Sequence, residues 1–193
     1  MNDRESLVLE WLNTVLPAPL IRMAPASSDA SFRRYFRVWS DGRTWIVMDA
    51  PPDKEDCRPF VAIAQALREL GLNAPDILAS DCDQGLLLLT DLGSRQYLAE
   101  LDDHRVTGLY GDALTALARL QTGGDPASPL LPPYDTALLY REMALFSDWF
   151  LGRLLGLELS GAEQPVLDQT FAVLAGNALE QPQVWVHRDY HSR

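Results

Sequence analysis

Cysteine is scarce in this chain. Among 193 residues there are two, Cys57 and Cys82, in neither a metal nor a redox spacing. They read as reduced thiols of a cytosolic protein, not as a disulfide framework. No apolar run is long enough to span a bilayer, and Met1-Asn2-Asp3-Arg4-Glu5 has no basic stretch leading into an apolar core. A secretory signal and a membrane partner are therefore not expected, and the reading is cytoplasmic. Positive charge is also in deficit: 16 Lys and Arg against 27 Asp and Glu, a formal net charge of −11. Such an acidic balance repels phosphodiester backbones and disfavours nucleic-acid binding. The one dense basic cluster is Arg33, Arg34 and Arg37. No internal repeat or low-complexity segment is present, and nothing in the sequence speaks to oligomeric state.

What remains is 47% hydrophobic and 22% charged, enough for one large domain or two small lobes with separate cores. Apolar residues at helical spacing predict a helix over Glu5–Leu16, stopped by Pro17. A polar turn is expected over Ala26–Ala30. Strands are expected over Ser31–Trp39 and Thr44–Met48, joined by the tight turn Asp41-Gly42. Asp56 can cap a helix with Pro59 in its first turn and Phe60, Ile63, Ala64, Leu67 and Leu70 as its apolar stripe, ended by Gly71. Two further strands follow, Ile77–Ala79 and Leu86–Leu89. After Gly93 the pattern turns helical: Arg105–Leu120, a Pro-rich loop over 126–133, Asp135–Leu155, and a helix opened by Pro165. A short strand over Val184–Val186 comes last. The expected fold is α+β and two-lobed, with a small mixed N-lobe built on an antiparallel sheet (1–90), a hinge (91–94) and a mainly helical C-lobe (95–193).

Three stretches could carry chemistry. In Leu86-Leu87-Leu88-Leu89-Thr90-Asp91-Leu92-Gly93 an apolar strand leaves a small lobe for a linker. Such a crossover can offer backbone N–H and C=O groups to an adenine; it is equally an ordinary core strand and turn. In Ser27-Ser28-Asp29-Ala30-Ser31-Phe32-Arg33-Arg34-Tyr35-Phe36-Arg37, small residues let a loop backbone approach phosphates, although the stretch has no glycine. Alternation puts Arg33, Tyr35 and Arg37 on one face and Phe32, Arg34 and Phe36 on the other; a solvated strand would look the same.

The third stretch is Val184-Trp185-Val186-His187-Arg188-Asp189-Tyr190-His191-Ser192-Arg193. Phosphoryl transfer to a hydroxyl needs a carboxylate that can accept the hydroxyl proton, with metal ligands close by. His-x-Asp followed five residues later by Asn supplies both, and that Asn would be the residue after Arg193. A hydrolase-type metal site from the alternating His187, Asp189 and His191, and a polar tail of no consequence, are the other readings of the same residues.

Together these stretches resemble the aminoglycoside phosphotransferase and choline kinase superfamily, with its protein-kinase-like fold. Within it the chain is most similar to the bacterial N-acetylmuramate/N-acetylglucosamine anomeric kinases of cell-wall recycling. That closer likeness rests on residues 28–38, on Val47-Met48-Asp49-Ala50-Pro51-Pro52 and on 187–193. The resemblance implies transfer of the γ-phosphoryl group of ATP, with Mg²⁺, to a sugar hydroxyl. It makes Asp189 the catalytic carboxylate and His187 a brace of its loop. Leu89, Thr90, Asp91 and Leu92 become the adenine hinge, and Ser27, Ser28, Asp29, Ala30 and Ser31 the loop over the phosphates. It assigns no metal ligand within the chain, because the expected ones lie beyond Arg193. The chain is expected to be truncated at its catalytic loop and without useful turnover on its own. The acceptor could instead be an aminoglycoside, choline or another small alcohol, or the chain a nucleotide-binding module without catalysis. One departure stands out: the third-strand lysine slot falls near Met48, and the facing helix has Glu69 only at its far end. Arg33 or Arg34 is then expected to supply the phosphate-binding charge. Glu142 and Asp148 could line an acceptor pocket or form a wet helix face.

Overall fold

The computed structural model describes residues 3–27 and 32–192. They fall into two compact units, the residues up to Gly123 together with those from Tyr190 on, and Gly124–Asp189.

In the first unit, helix α1 (Asp3–Val15) precedes strand β1 (Arg22–Ser27), and β2 (Arg34–Ser40) and β3 (Arg43–Asp49) follow. Helix α2 (Arg58–Glu69), β4 (Ile77–Asp81) and β5 (Leu86–Thr90) complete a mixed α+β arrangement. The five strands form one antiparallel sheet in the order β1-β2-β3-β5-β4. The β2–β3 hairpin closes at Asp41 and Gly42, both at positive φ (48° and 69°), the conformation a two-residue hairpin turn demands. Strand β1 takes in Ala26 and Ser27, the first two residues of the turn expected over 26–30; the other three lie outside the described residues. β1 is an edge strand carrying Pro25, and an edge is where a residue without an N–H can sit in a sheet.

Both sheet faces are covered, which is why β5 reads as a run of leucines and not as an alternation. On one face Val38, Val47, Leu86 and Leu88 pack with Val8, Trp11 and Leu12 of α1. On the other, Met48, Leu87 and Leu89 pack with Cys57 and with Phe60 and Val61 at the start of α2. Each fully buried leucine contributes roughly 1.5–3 kcal/mol. Cys57, not Asp56, is the N-cap residue of α2; Asp56 accepts from the Arg58 N–H instead. Burial of the Cys57 thiol beside Cys82 pushes its pKa up to about 12, so it is an unreactive thiol. Helices α3 (Tyr97–Glu100) and α4 (Val106–Gly123) also belong to this unit, so the segment 91–94 lies inside it. Arg119 of α4 donates to the Gly71 carbonyl at the end of α2.

The second unit holds helix α5 (Thr136–Leu145), a π-helix (Phe146–Leu154) and α6 (Glu163–Leu179). Asp135 caps α5 by accepting from the Leu138 N–H at 2.9 Å. The single long helix expected over 135–155 therefore changes its winding half-way. Nine residues of π-helix are unusual; here Phe146 stacks on Phe150 with centroids 5.4 Å apart, and Arg153 lies 4.3 Å over the Trp149 ring. The strand expected over Val184–Val186 is absent: these residues belong to no strand. Trp185 anchors them, buried and donating from Nε1 to the Asp125 carbonyl at 2.8 Å.

Candidate active site

The α2-side face of the sheet is not fully closed. At the β5 end a cavity of about 280 Å³ opens, walled by Tyr35 and Arg37 of β2, Ile46 of β3, Phe60 of α2 and the segment from Leu89 to Gly93. The walls follow from register. Arg37 pairs with Ile46 and Ile46 with Leu89, so all three side chains rise from one face in a row across the sheet. An apolar slot bordered by a strand-exit backbone suits a flat heteroaromatic base.

The backbone beside this slot is held firmly. Thr90 donates its N–H to the Asp76 carbonyl at 3.1 Å, and its Oγ1 accepts from the Asp76 N–H at 2.9 Å. Arg37 forms a two-armed ion pair with Asp91: Nε to Oδ2 at 2.6 Å and Nη2 to Oδ1 at 2.9 Å. The same Nη2 donates to the Gly93 carbonyl at 3.1 Å, and the Gly93 N–H donates back to Asp91 at 2.9 Å. The Arg37 guanidinium, with help from the Gly93 N–H, pulls the Asp91 carboxyl down to about 2. Leu89 is buried and Leu92 is exposed.

Ser27 ends β1; Ser28, Asp29, Ala30 and Ser31, the rest of the expected phosphate loop, lie outside the described residues. Of the flanking arginines, Arg34 reaches inward. Its Nε and Nη2 both donate to Oδ2 of Asp49, at 3.0 and 2.5 Å, while Arg4 of α1 holds Oδ1 at 2.7 Å. Arg33 lies on the other face, with Nε and Nη2 on Oε1 of Glu55 at 3.0 and 2.8 Å. That pair raises the Arg33 pKa. The other Glu55 oxygen is buried with no hydrogen-bond partner among the described residues.

In the second unit, the stretch after Trp185 brings His187, Arg188 and Asp189 to an exposed position. Arg188 has φ 69° and donates from Nη2 to Glu142 of α5 at 2.7 Å. A positive φ at a residue with a Cβ is strained, and here it falls one residue before the expected catalytic carboxylate. In the first unit, the Tyr190 hydroxyl donates to the Ala113 carbonyl at 2.6 Å, and Ser192 accepts from the Leu98 N–H at 2.9 Å. Among the described residues no group of three His, Cys, Asp or Glu side chains could hold a metal ion.

Residues 22–193 match the model of a family described as the phosphotransferase enzyme family. The chain belongs to that family. It is 48% identical over 189 residues to an N-acetylmuramate/N-acetylglucosamine kinase of Pseudomonas aeruginosa, the match covering 98% of this chain and 54% of the relative. A Pseudomonas putida protein of the same name is 45% identical over 175 residues, covering 91% of this chain and 51% of the relative. One from Neisseria meningitidis is 38% identical over 193 residues, covering 97% and 57%. The chain spans about half the length of the curated relatives it matches.

For a phosphotransferase, the source of positive charge near the phosphates matters. Met48 fills the expected lysine slot and is fully buried. The sequence's only lysine, Lys54, pairs with Asp53 at 3.5 Å. Sequence reasoning missed Asp49, Glu55 and the roles of Arg4 and Arg37. Of Arg33 and Arg34, one of which is expected to supply phosphate-binding charge, Arg34 donates from two of its three guanidinium nitrogens to a fully buried carboxylate.

Proposed function

We propose that the protein carrying this chain is an ATP-dependent kinase. Its acceptor is a sugar hydroxyl, the anomeric hydroxyl of N-acetylmuramate or N-acetylglucosamine. The observation that carries the reading is family membership over residues 22–193 together with relatives of that name at up to 48% identity. The slot beside Leu89–Gly93 is its physical support, since its size and apolar walls suit adenine. The two lobes joined at 91–94, the hinge role of Leu89 to Leu92 and the phosphate loop at Ser27 to Ser31 are part of the same reading. So is a cytoplasmic location; no helix among the described residues is long and apolar enough to cross a membrane.

The sugar oxygen bonds to the γ-phosphorus as the bridging oxygen leaves with ADP, and the hydroxyl proton passes to Asp189. His187 braces that loop. Arg33, the arginine whose partner Glu55 stands in the loop before α2, supplies the charge that Met48 cannot, gripping phosphate oxygens with its fork of donors. Mg²⁺ neutralises charge on the transferred group when bound. The described residues provide no cluster for it.

The test is an acceptor panel. The full-length protein is incubated with ATP, Mg²⁺ and N-acetylmuramate, N-acetylglucosamine, an aminoglycoside or choline, and products are read by phosphorus NMR. A sugar 1-phosphate is expected. Phosphorylation of only the aminoglycoside or choline, or of nothing, overturns the reading.

A further inference from the structure

We propose that Arg37 is a positioning residue for the nucleotide base: it fixes the strand-exit backbone at 91–93 in the shape that admits adenine. The inference rests on the nucleotide-binding reading above but is separable from it.

Arg37 belongs to the one dense basic cluster of the sequence, beside Arg33 and Arg34, but its partners lie at the end of β5. Three donor contacts, two to Asp91 and one to the Gly93 carbonyl, point its guanidinium at the strand exit. The pair is well shielded, with Asp91 only 7% exposed and Arg37 21% exposed. A shielded two-armed pair of this kind is far stronger than a surface contact. Asp91 also receives the Gly93 N–H, so one carboxylate and one guanidinium together hold both the N–H and the C=O of residue 93. The link spans 54 positions in sequence, from β2 to the segment after β5.

Consider the alternatives for that segment. After Thr90 the sheet ladder ends: Thr90 pairs with Trp45, and no later residue is in register with β3. Gly93 has φ 89° and open space where a Cβ would sit, so its own backbone restrains it little. Without Arg37 the Gly93 carbonyl would lose its partner, and the segment would keep only the turn between Asp91 and Gly93 and the contact of Asp91 with Thr44. Any backbone group there that meets a base would have to be ordered at the moment of binding, at a cost in conformational entropy. Arg37 and Asp91 remove that cost in advance. Because both side chains line the cavity, they also set one wall of it, so the clamp acts on the base and not on the phosphates.

The test compares ATP, adenosine and inorganic tripolyphosphate as titrants in calorimetry on the folded protein, with Arg37→Met, Arg37→Lys, Asp91→Asn and the exchanged pair Arg37→Asp/Asp91→Arg. Arg37→Met should weaken ATP and adenosine by about tenfold, the factor set by ~1.4 kcal/mol, and leave tripolyphosphate within about twofold. Arg37→Lys should fall between, and the exchanged pair should recover most of the loss. Amide exchange at 91–93 should quicken in Arg37→Met. A general structural defect would weaken all three titrants alike, and that result overturns the proposal even if one variant folds poorly, because Arg37→Lys provides the milder comparison. Unchanged adenosine affinity in Arg37→Met overturns it while sparing the nucleotide reading. A wild-type protein that binds neither ATP nor adenosine overturns both.

Discussion

Arg34 donates two hydrogen bonds to a single oxygen of Asp49, a carboxylate with no solvent exposure. Arg4 occupies the other oxygen and also donates to the Gln84 carbonyl, so one buried acid fastens α1, β2 and the β4–β5 turn to β3. Removing one partner of a buried pair leaves the other uncompensated. Asp49→Ala should therefore destabilise the protein by about 3–5 kcal/mol. Urea unfolding measures this, and a loss below about 1 kcal/mol, the value of an exposed pair, would show that Asp49 is not the fastening point.

Gly85 and Gly42 separate two effects that glycine substitutions usually mix. Both have φ near 70°. A Cβ at Gly42 would meet open space, whereas one at Gly85 would stand 1.8 Å from the Ala50 carbonyl oxygen. The Gly85 carbonyl also accepts from the Ala50 N–H at 2.8 Å, so backbone cannot move aside without loss. Gly42→Ala should cost about 1–2 kcal/mol from the positive φ alone. Gly85→Ala should cost clearly more or leave no folded protein. Equal melting temperatures for the two would contradict this.

Acid should weaken the Arg37–Asp91 clamp late. The folded carboxyl lies at about 2 against a usual value of 3.8. A lowered folded pKa contributes stability that is fully present above the unfolded value and is lost as pH falls through the folded one. The window is thus between about pH 4 and pH 2, and the contribution is on the order of 2 kcal/mol. Asp91→Asn should flatten the fall in stability across that window. A pH profile parallel to that of the wild type would count against the pair.

Arg188 combines a strained backbone with a partly exposed ion pair to Glu142. The pair itself should be worth about 0.2–1 kcal/mol, and the left-handed conformation costs a residue with a Cβ about 1–2 kcal/mol. Arg188→Gly should accordingly be more stable than Arg188→Ala by about 1 kcal/mol. If both variants unfold at the same denaturant concentration, the positive φ is not retained in solution.

Much of the first unit could be read from the residues alone, because its signals are local. Asp41-Gly42 between two aromatic-rich stretches marks a hairpin, and four consecutive leucines before Thr90 mark a strand covered on both faces. Strand β1 escaped because Pro25 and the lack of apolar alternation hide an edge strand that needs a partner on one side only. Val184–Val186 has strand composition but no neighbour to pair with, and composition cannot report a missing neighbour. The π-helix over Phe146–Leu154 was not legible, because the segment has no proline or other residue that would bar an ordinary α-helix. The ion pairs were the least legible part. Arg34 with Asp49, Arg33 with Glu55 and Arg37 with Asp91 join residues 15, 22 and 54 positions apart, and which arginine meets which acid is decided by sheet register. Three neighbouring arginines that looked like one basic cluster each meet a different acid.

The most direct test of the kinase reading is a comparison of Asp189→Asn with the wild type in the full-length protein, following transfer of labelled γ-phosphate from ATP to N-acetylmuramate while ATP affinity is measured separately. With Asp189 as the proton acceptor, turnover should fall by about 10²–10⁴-fold, the range for loss of a positioned acid or base, and ATP affinity should stay within about twofold. Turnover that survives the substitution, in a protein that still binds ATP, would contradict the account.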